Sequence, residues 1–279
     1  AMLVASPKNL GMALGWNGLW GNLGLAFAAI VSGALMDLWG WRSAFFVPGL
    51  AAIAVGAAFL LLVPDPGPVA KKSKTIGLHL DTRTMAQIFI ILLVATACGG
   101  VIFNSTTVAM PKIFDERLRA LTQTNVGIGA LVAFVYSVAA FAQVLMGTLM
   151  SRFEMKHLMI AVGLVQIPLL AAATSLDGWP MLAVALLMMM AIFGQIPLND
   201  GIVAKYVADE YRARVLSVRY VVSLGVAALA VPMIAVLHRT EGGFRNVFMV
   251  LAVLACAIFI SALFFPSRRQ ITAVQPAAL

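Results

Sequence analysis

Long apolar runs separated by short polar connectors set the pattern of this chain. A helix needs about 20 apolar residues to cross a bilayer. Eight runs reach that length, at 11–36, 44–63, 86–110, 126–150, 157–175, 179–203, 214–237 and 246–265, and residues 1–5 read as the end of an earlier one. The pattern predicts an all-α polytopic membrane protein. One connector is long: 64–85 carries Pro64, Asp65, Pro66, Pro68, Lys71, Lys72 and Lys74, and predicts a flexible polar link between two membrane bundles.

The first run has a face of its own. Steps of four and three residues pick out Gly11, Gly15, Gly18, Asn22, Ala26, Ala29 and Gly33, all small except the single amide. Small residues at this spacing let two backbones approach closely in lipid, where packing and hydrogen bonds hold helices together. The stripe predicts a helix that packs against a partner along Gly11, Gly15, Gly18 and Gly33, a partner that the stripe itself does not identify.

Composition agrees with the pattern. Apolar residues make up 62% of the 279 and charged residues 11%, against roughly 45–50% and about 25% in ordinary soluble domains. The net charge of +8 would suit a nucleic-acid partner, but the basic residues sit in the connectors, where membrane topology places them, so none is expected. Counted on alternate sides of the spans, thirteen Lys and Arg fall on one side and six on the other. The richer side is expected to be cytoplasmic, which puts the 64–85 link and the C-terminal tail inside. Cys98 and Cys256 are isolated, and His79, His157 and His238 form no ligand-spaced cluster, so no metal or cofactor is expected. An embedded hydrolase would need a Ser–His pair at one depth within the spans, and none is evident.

An internal repeat changes the reading of the chain's length. Gly40-Trp-Arg-Ser-Ala-Phe-Phe-Val47 recurs as Gly243-Phe-Arg-Asn-Val-Phe-Met-Val250, each between two spans, and each following span ends near a proline, Pro64 or Pro266. If two six-span units repeat at this offset, roughly three and a half spans belong before Ala1. The expectation is therefore an N-terminally truncated piece of a twelve-span protein.

These features resemble the major facilitator superfamily of secondary transporters. Pro7-Lys8-Asn9-Leu10-Gly11 is like its proline–basic–glycine turn. The Gly33, Asp37, Gly40-Trp41-Arg42 and Phe45 series closes the glycine helix in the family's manner. The basic link stands where its halves join. Gly147-Thr-Leu149-Met-Ser-Arg152-Phe-Glu-Met-Lys156 is similar to its glycine–acid–basic loop signature. Two departures accompany the likeness. Ser151 and Glu154 replace an expected Asp and Gly, and Ala28 and Ala29 stand where an antiporter would carry glycine and proline. The resemblance implies a major facilitator fold with about eight of twelve helices present. Residues 1–63 would belong to the first six-helix bundle, 64–85 to a cytoplasmic linker, 86–266 to the second bundle and 267–279 to a cytoplasmic tail. It also implies that the family's sixth and twelfth helices, here 44–63 and 246–265, lie outside, while its fifth, seventh, eighth and tenth line a cavity. With the repeat, it implies that the partners of the glycine face are in part missing spans and in part the helix at 126–150.

Polar residues inside spans are costly in lipid and face protein or a water-filled cavity. By that rule Asn22, Asn104, Thr107, Tyr136, Gln143, Gln195 and Asn199 are candidates for a solute cavity, with interhelical hydrogen bonding as the alternative for Asn104, Gln143 and Gln195 and packing for Tyr136. Gly99-Gly100 and Pro197 are positions where a span could break or kink. Asp200 is the one acid placed inside a span, and pairing with Arg219 or Lys205 to close the cytoplasmic face competes with a proton-coupling role. The expected function is secondary active transport of a small organic solute, neutral or mildly amphipathic and ion (proton) coupled. The expected location is the bacterial inner membrane, with the lipid bilayer and the missing N-terminal helices as partners. The competing readings are a non-transporting remnant or scaffold and, behind it, a membrane enzyme.

Overall fold

A computed structural model describes residues 10–63, 81–119, 121–122, 124–207 and 209–266. Every apolar run within them is helical: α1 Leu10–Trp39, α2 Ser43–Leu62, α3 Thr82–Arg117, α4 Asn125–Arg152, α5 Met155–Ala172, α6 Gly178–Tyr206, α7 Asp209–Arg239 and α8 Phe244–Leu263. Among the described residues there is no strand, and eight helices are long and apolar enough to cross a membrane, as suits an integral membrane protein. Hydrocarbon offers the backbone no hydrogen-bond partner, so each crossing segment must satisfy its own N–H and C=O groups. The turn before Leu10, most of the polar link and the tail after Pro266 lie outside the described residues.

The helices outrun the apolar stretches that predict them. α3 runs on to Arg117 and α7 begins at Asp209. At 1.5 Å per residue α3 is about 54 Å long, well beyond the roughly 30 Å hydrocarbon core. The extra turns carry charged residues with a use. The Arg117 guanidinium donates to the carbonyls of Ala173, Thr174 and Leu176, closing the C-terminal end of α5 and pinning it to α3.

The repeated octapeptide folds the same way twice. Gly40 and Gly243 have φ of 80° and 50°, a left-handed conformation that glycine adopts without a Cβ penalty. Three residues on, the Ser43 amide donates to Gly40 O at 3.1 Å and the Asn246 amide to Gly243 O at 3.2 Å. Both side chains also tie back to the corner, Ser43 Oγ donating to Leu35 O and Asn246 Nδ2 to Thr240 Oγ1. Each corner joins a long helix to a 20-residue one.

α1 runs antiparallel to α4, so each step up one is a step down the other: Gly11 lies on Gly147, Gly15 on Gln143, Ala29 on Gly129, and Gly33 near Asn125. A methyl added to Gly11 would lie 2.5 Å from the Gly147 carbonyl oxygen, and one on Gly15 2.6 Å from that of Gln143. Gly33 differs, because a methyl there would sit 3.7 Å from Asn125 O, an ordinary contact that does not require glycine.

Burial is uneven. α6 buries 61% of its most apolar stretch, α7 6% and α2 none. The peripheral place expected for 44–63 is what α2 occupies. α8 at 246–265 lines no part of the polar cavity between α3, α6 and α7 and is buried on one face only, through Phe248, Leu251, Ala255 and Ile258, where Gly163 of α5 lets the Phe259 backbone approach closely. The apolar core is in two parts. One gathers around Phe114, Tyr136, Met188 and Phe248, the other around Leu92, Leu158, Leu198 and Phe265. Between them, buried Thr96, Gln143, Gln166, Gln195 and Asn199 form a polar layer across the middle of the bundle.

Candidate functional site

The polar layer opens into a cavity of about 280 Å³ between α3, α6 and α7. On α3, Thr96, Gly99, Gly100 and Asn104 recur on one face, so the wall has little side-chain bulk. The glycines admit neighbours: a methyl on Gly99 would lie 2.9 Å from Gln195 Nε2, and one on Gly100 2.8 Å from Val226 Cγ2. α3 is continuous through both, so the expected break there is a close crossing instead. α6 likewise stays helical through Pro197, two residues after Gln195, which leaves the Phe193 carbonyl without its i+4 N–H donor.

α6 supplies the polar groups. Gln166 of α5 donates to Gln195 Oε1 at 2.9 Å, which fixes the Gln195 amide and leaves its Nε2 facing the α3 glycines without a hydrogen-bond partner. One turn on, Asn199 Oδ1 is buried and equally unpartnered. Gln195 and Asn199 therefore both line the cavity, one turn apart, with these two atoms enclosed by the surrounding helices. Leaving such groups unmade costs about 1–3 kcal/mol each.

At one end of the cavity the Arg219 guanidinium is hydrogen-bonded to the Asp200 carboxylate, joining α7 to α6. Arg219 is the more enclosed partner, its side chain 16% exposed against 40% for Asp200. Phe103, Ile192 and Tyr220 complete the walls.

The structure separates the other candidates. Asn104 lines the cavity, though its Nδ2 donates to Gly100 O of its own helix. Thr107 turns back to Phe103 O and is not in the wall. Tyr136 is packed against Phe193 with its hydroxyl donating to Thr107 O at 2.9 Å, so it sits in the core away from this cavity. Gln143 and Asn22 are buried at the α1–α4 seam, Gln143 against Gly18 with neither amide atom hydrogen-bonded. Lys205 lies over the Tyr206 ring and takes no part in the Asp200 pair. Sequence reasoning missed Gln166, which sits in an otherwise apolar run, and the α7 wall with Tyr220 and Ser223. Polar residues on α7 at 216–223 were the available signal. Among the described residues no group of His, Cys, Asp and Glu is placed to hold a metal.

Comparison with known proteins gives the fold a context. The family profile described as Major Facilitator Superfamily matches residues 1–136 and 92–278. No curated protein matches the chain. Among solved structures, the major facilitator superfamily transporter FucP in the outward conformation superposes with a TM-score of 0.64 at 13% identity, over 95% of this chain and 71% of that one. A substituted form of the E. coli fucose:proton symporter FucP gives 0.63 at 14% identity, with the same coverage. At these identities the likeness is one of fold.

Proposed function

The chain belongs to the major facilitator superfamily, and on that premise we propose that it carries a small neutral organic solute across the membrane by alternating access, driven by an ion gradient. The observation that carries the solute class is a small cavity whose wall holds three neutral amide residues, Asn104, Gln195 and Asn199. A hydroxyl-bearing or amide-bearing solute suits neutral amides, and Phe103 and Tyr220 offer faces to its apolar side. A net-charged solute has less to meet there, because the Asp200 and Arg219 charges already neutralise one another.

In this reading α1 and α2 belong to the first bundle and residues 86–266 form the second, joined by a cytoplasmic link at 64–85. The bundles rock about the polar layer, with the α1–α4 seam as the contact between them. The Asp200–Arg219 pair acts as the bar at one end of the cavity. Protons are the coupling ion to test first, since the solved relative is by name a fucose:proton symporter. The location that fits is a bacterial inner membrane with the C-terminus in the cytoplasm.

Counterflow in proteoliposomes loaded with neutral polyols and monosaccharides tests the solute class. Saturable exchange that weakens in Gln195→Leu is expected. Exchange confined to charged solutes would overturn the class, and no exchange with any solute would favour the non-transporting reading. For coupling, an Asp200→Asn variant with unchanged dependence on a pH gradient would remove Asp200 from that role.

A further inference from the structure

A second opening, of about 270 Å³, lies between the first turns of α3, the last turn of α6 and the first turns of α7. It prolongs the crevice that holds the polar cavity, with the Asp200–Arg219 pair between them. On α3, Leu92 faces the groove and Thr96 the cavity; on α7, Val215 faces the groove and Arg219 the cavity. The chemistry of the two compartments is opposite. The groove is walled by apolar side chains such as Phe89, Leu92 and Val215, with polar groups only at its rim, Arg214 among them.

The rim is basic. Arg212 is spent on the α6 end, donating to Ala204 O at 3.0 Å and Val207 O at 3.2 Å. Arg214 is exposed and has no carboxylate partner among the described residues. The connecting sequence from 204 to 219 carries Lys205, Arg212, Arg214 and Arg219 against Asp209 and Glu210. An apolar groove at helix ends, with an arginine at its mouth, matches one molecule that a bilayer supplies everywhere.

We propose that this groove binds an anionic phospholipid, with an acyl chain along Phe89, Leu92 and Val215 and the phosphate held by the Arg214 guanidinium. Arginine presents a planar fork of donors that suits phosphate, and basic pockets between membrane helices select anionic headgroups. The alkyl chain supplies contacts that α7, the least buried helix of 86–266, lacks from protein. The site needs only a bilayer around the chain, so its test is independent of whether the chain moves solute.

The test uses the full chain in detergent, exposed to equimolar phosphatidylglycerol and phosphatidylcholine with identical acyl chains and read by native mass spectrometry. The wild type should retain phosphatidylglycerol about fivefold over phosphatidylcholine, the preference one basic residue confers near a membrane surface. Arg214→Gln should erase that preference and Arg214→Lys should keep most of it. Ala86→Phe, which fills the groove from an exposed position, should lower retention of both lipids. Equal retention of the two lipids by the wild type, or a preference untouched by Arg214→Gln, would overturn the site. The wild-type measurement decides even where a variant does not fold.

Discussion

The α1–α4 seam and the α3–α6–α7 crevice are built from the same residue types, glycine and amide, and end in opposite states. In the seam, Gly11, Gly15 and Gly147 each face the partner helix's backbone. In the crevice, Gly99 and Gly100 face only the tips of side chains, the Gln195 amide and a Val226 methyl. Backbone atoms cannot step aside without moving a whole helix, whereas an amide tip needs only a change of rotamer. The seam therefore holds a fixed register and the crevice keeps adjustable volume. What a glycine faces, rather than the glycine itself, separates a rigid contact from an accommodating one. The amides repeat the lesson. Gln143 in the seam is fully enclosed with both polar atoms unpaired, while Gln195, a residue of the cavity wall, has one atom held by Gln166 and the other set against Gly99.

The largest effect expected is in the seam. Gly147→Leu would drive a side chain into the Gly11 carbonyl and force two backbones apart, costing about 3 kcal/mol, the upper part of the overpacking range. Thermal unfolding in detergent reads the loss, and a disulfide between cysteines placed at Ala29 and Gly129 reads whether α1 still docks. A variant that keeps both its midpoint and its crosslink would show that the register is not fixed.

Next comes the bar of the crevice. Arg219→Ala leaves Asp200 without its partner, and solute exchange should fall at least tenfold, or about 1.4 kcal/mol. Its stability cost should stay near ~1 kcal/mol, because Asp200 is 40% exposed and water screens the remaining charge. Swapping the pair, with Asp200→Arg and Arg219→Asp together, should restore part of the exchange. No recovery would mean that position, and not pairing, is what matters.

Within the crevice, Gln195→Leu should weaken solute affinity by about fivefold, the equivalent of one lost hydrogen bond near 1 kcal/mol. Its melting point should hardly change, since interhelical hydrogen bonds in membranes average about 0.6 kcal/mol. The reverse result, a large stability loss with affinity intact, would return Gln195 to a purely structural place. The smallest effect belongs to Gly24→Ala on the open side of α1. Nothing lies within 4 Å of the added methyl, so unfolding should shift by less than ~0.5 kcal/mol. A larger shift would mean that a further helix covers that face.

Much of this was legible in the chain alone, and the physics says which parts. Membrane-crossing length and helical periodicity are local properties, so the eight helices, the α1 packing face and the mid-span amides could be read from residue order. The glycine corners at Gly40 and Gly243 were legible for the same reason, because a corner is set by the few residues that make it. Boundaries were less so: α3 continues past its apolar run because Arg117 finds the carbonyls at the end of α5, fifty-six residues away in sequence.

The candidate site divides along the same line. That Asn22, Tyr136, Gln143, Gln195 and Asn199 lie inside spans was evident from sequence, since polarity in an apolar run needs no partner to be noticed. Whether each meets a cavity, a seam or the core depends on which faces of distant helices come together, and helical periodicity carries no information about that. Only the tertiary arrangement turned α7 into a cavity wall, gave Gln195 its Gln166, and buried Tyr136 behind Phe193. One dimension determined what each helix offers; packing in three determined which offers were taken up, because contact is non-local and a helix has several faces of similar chemistry.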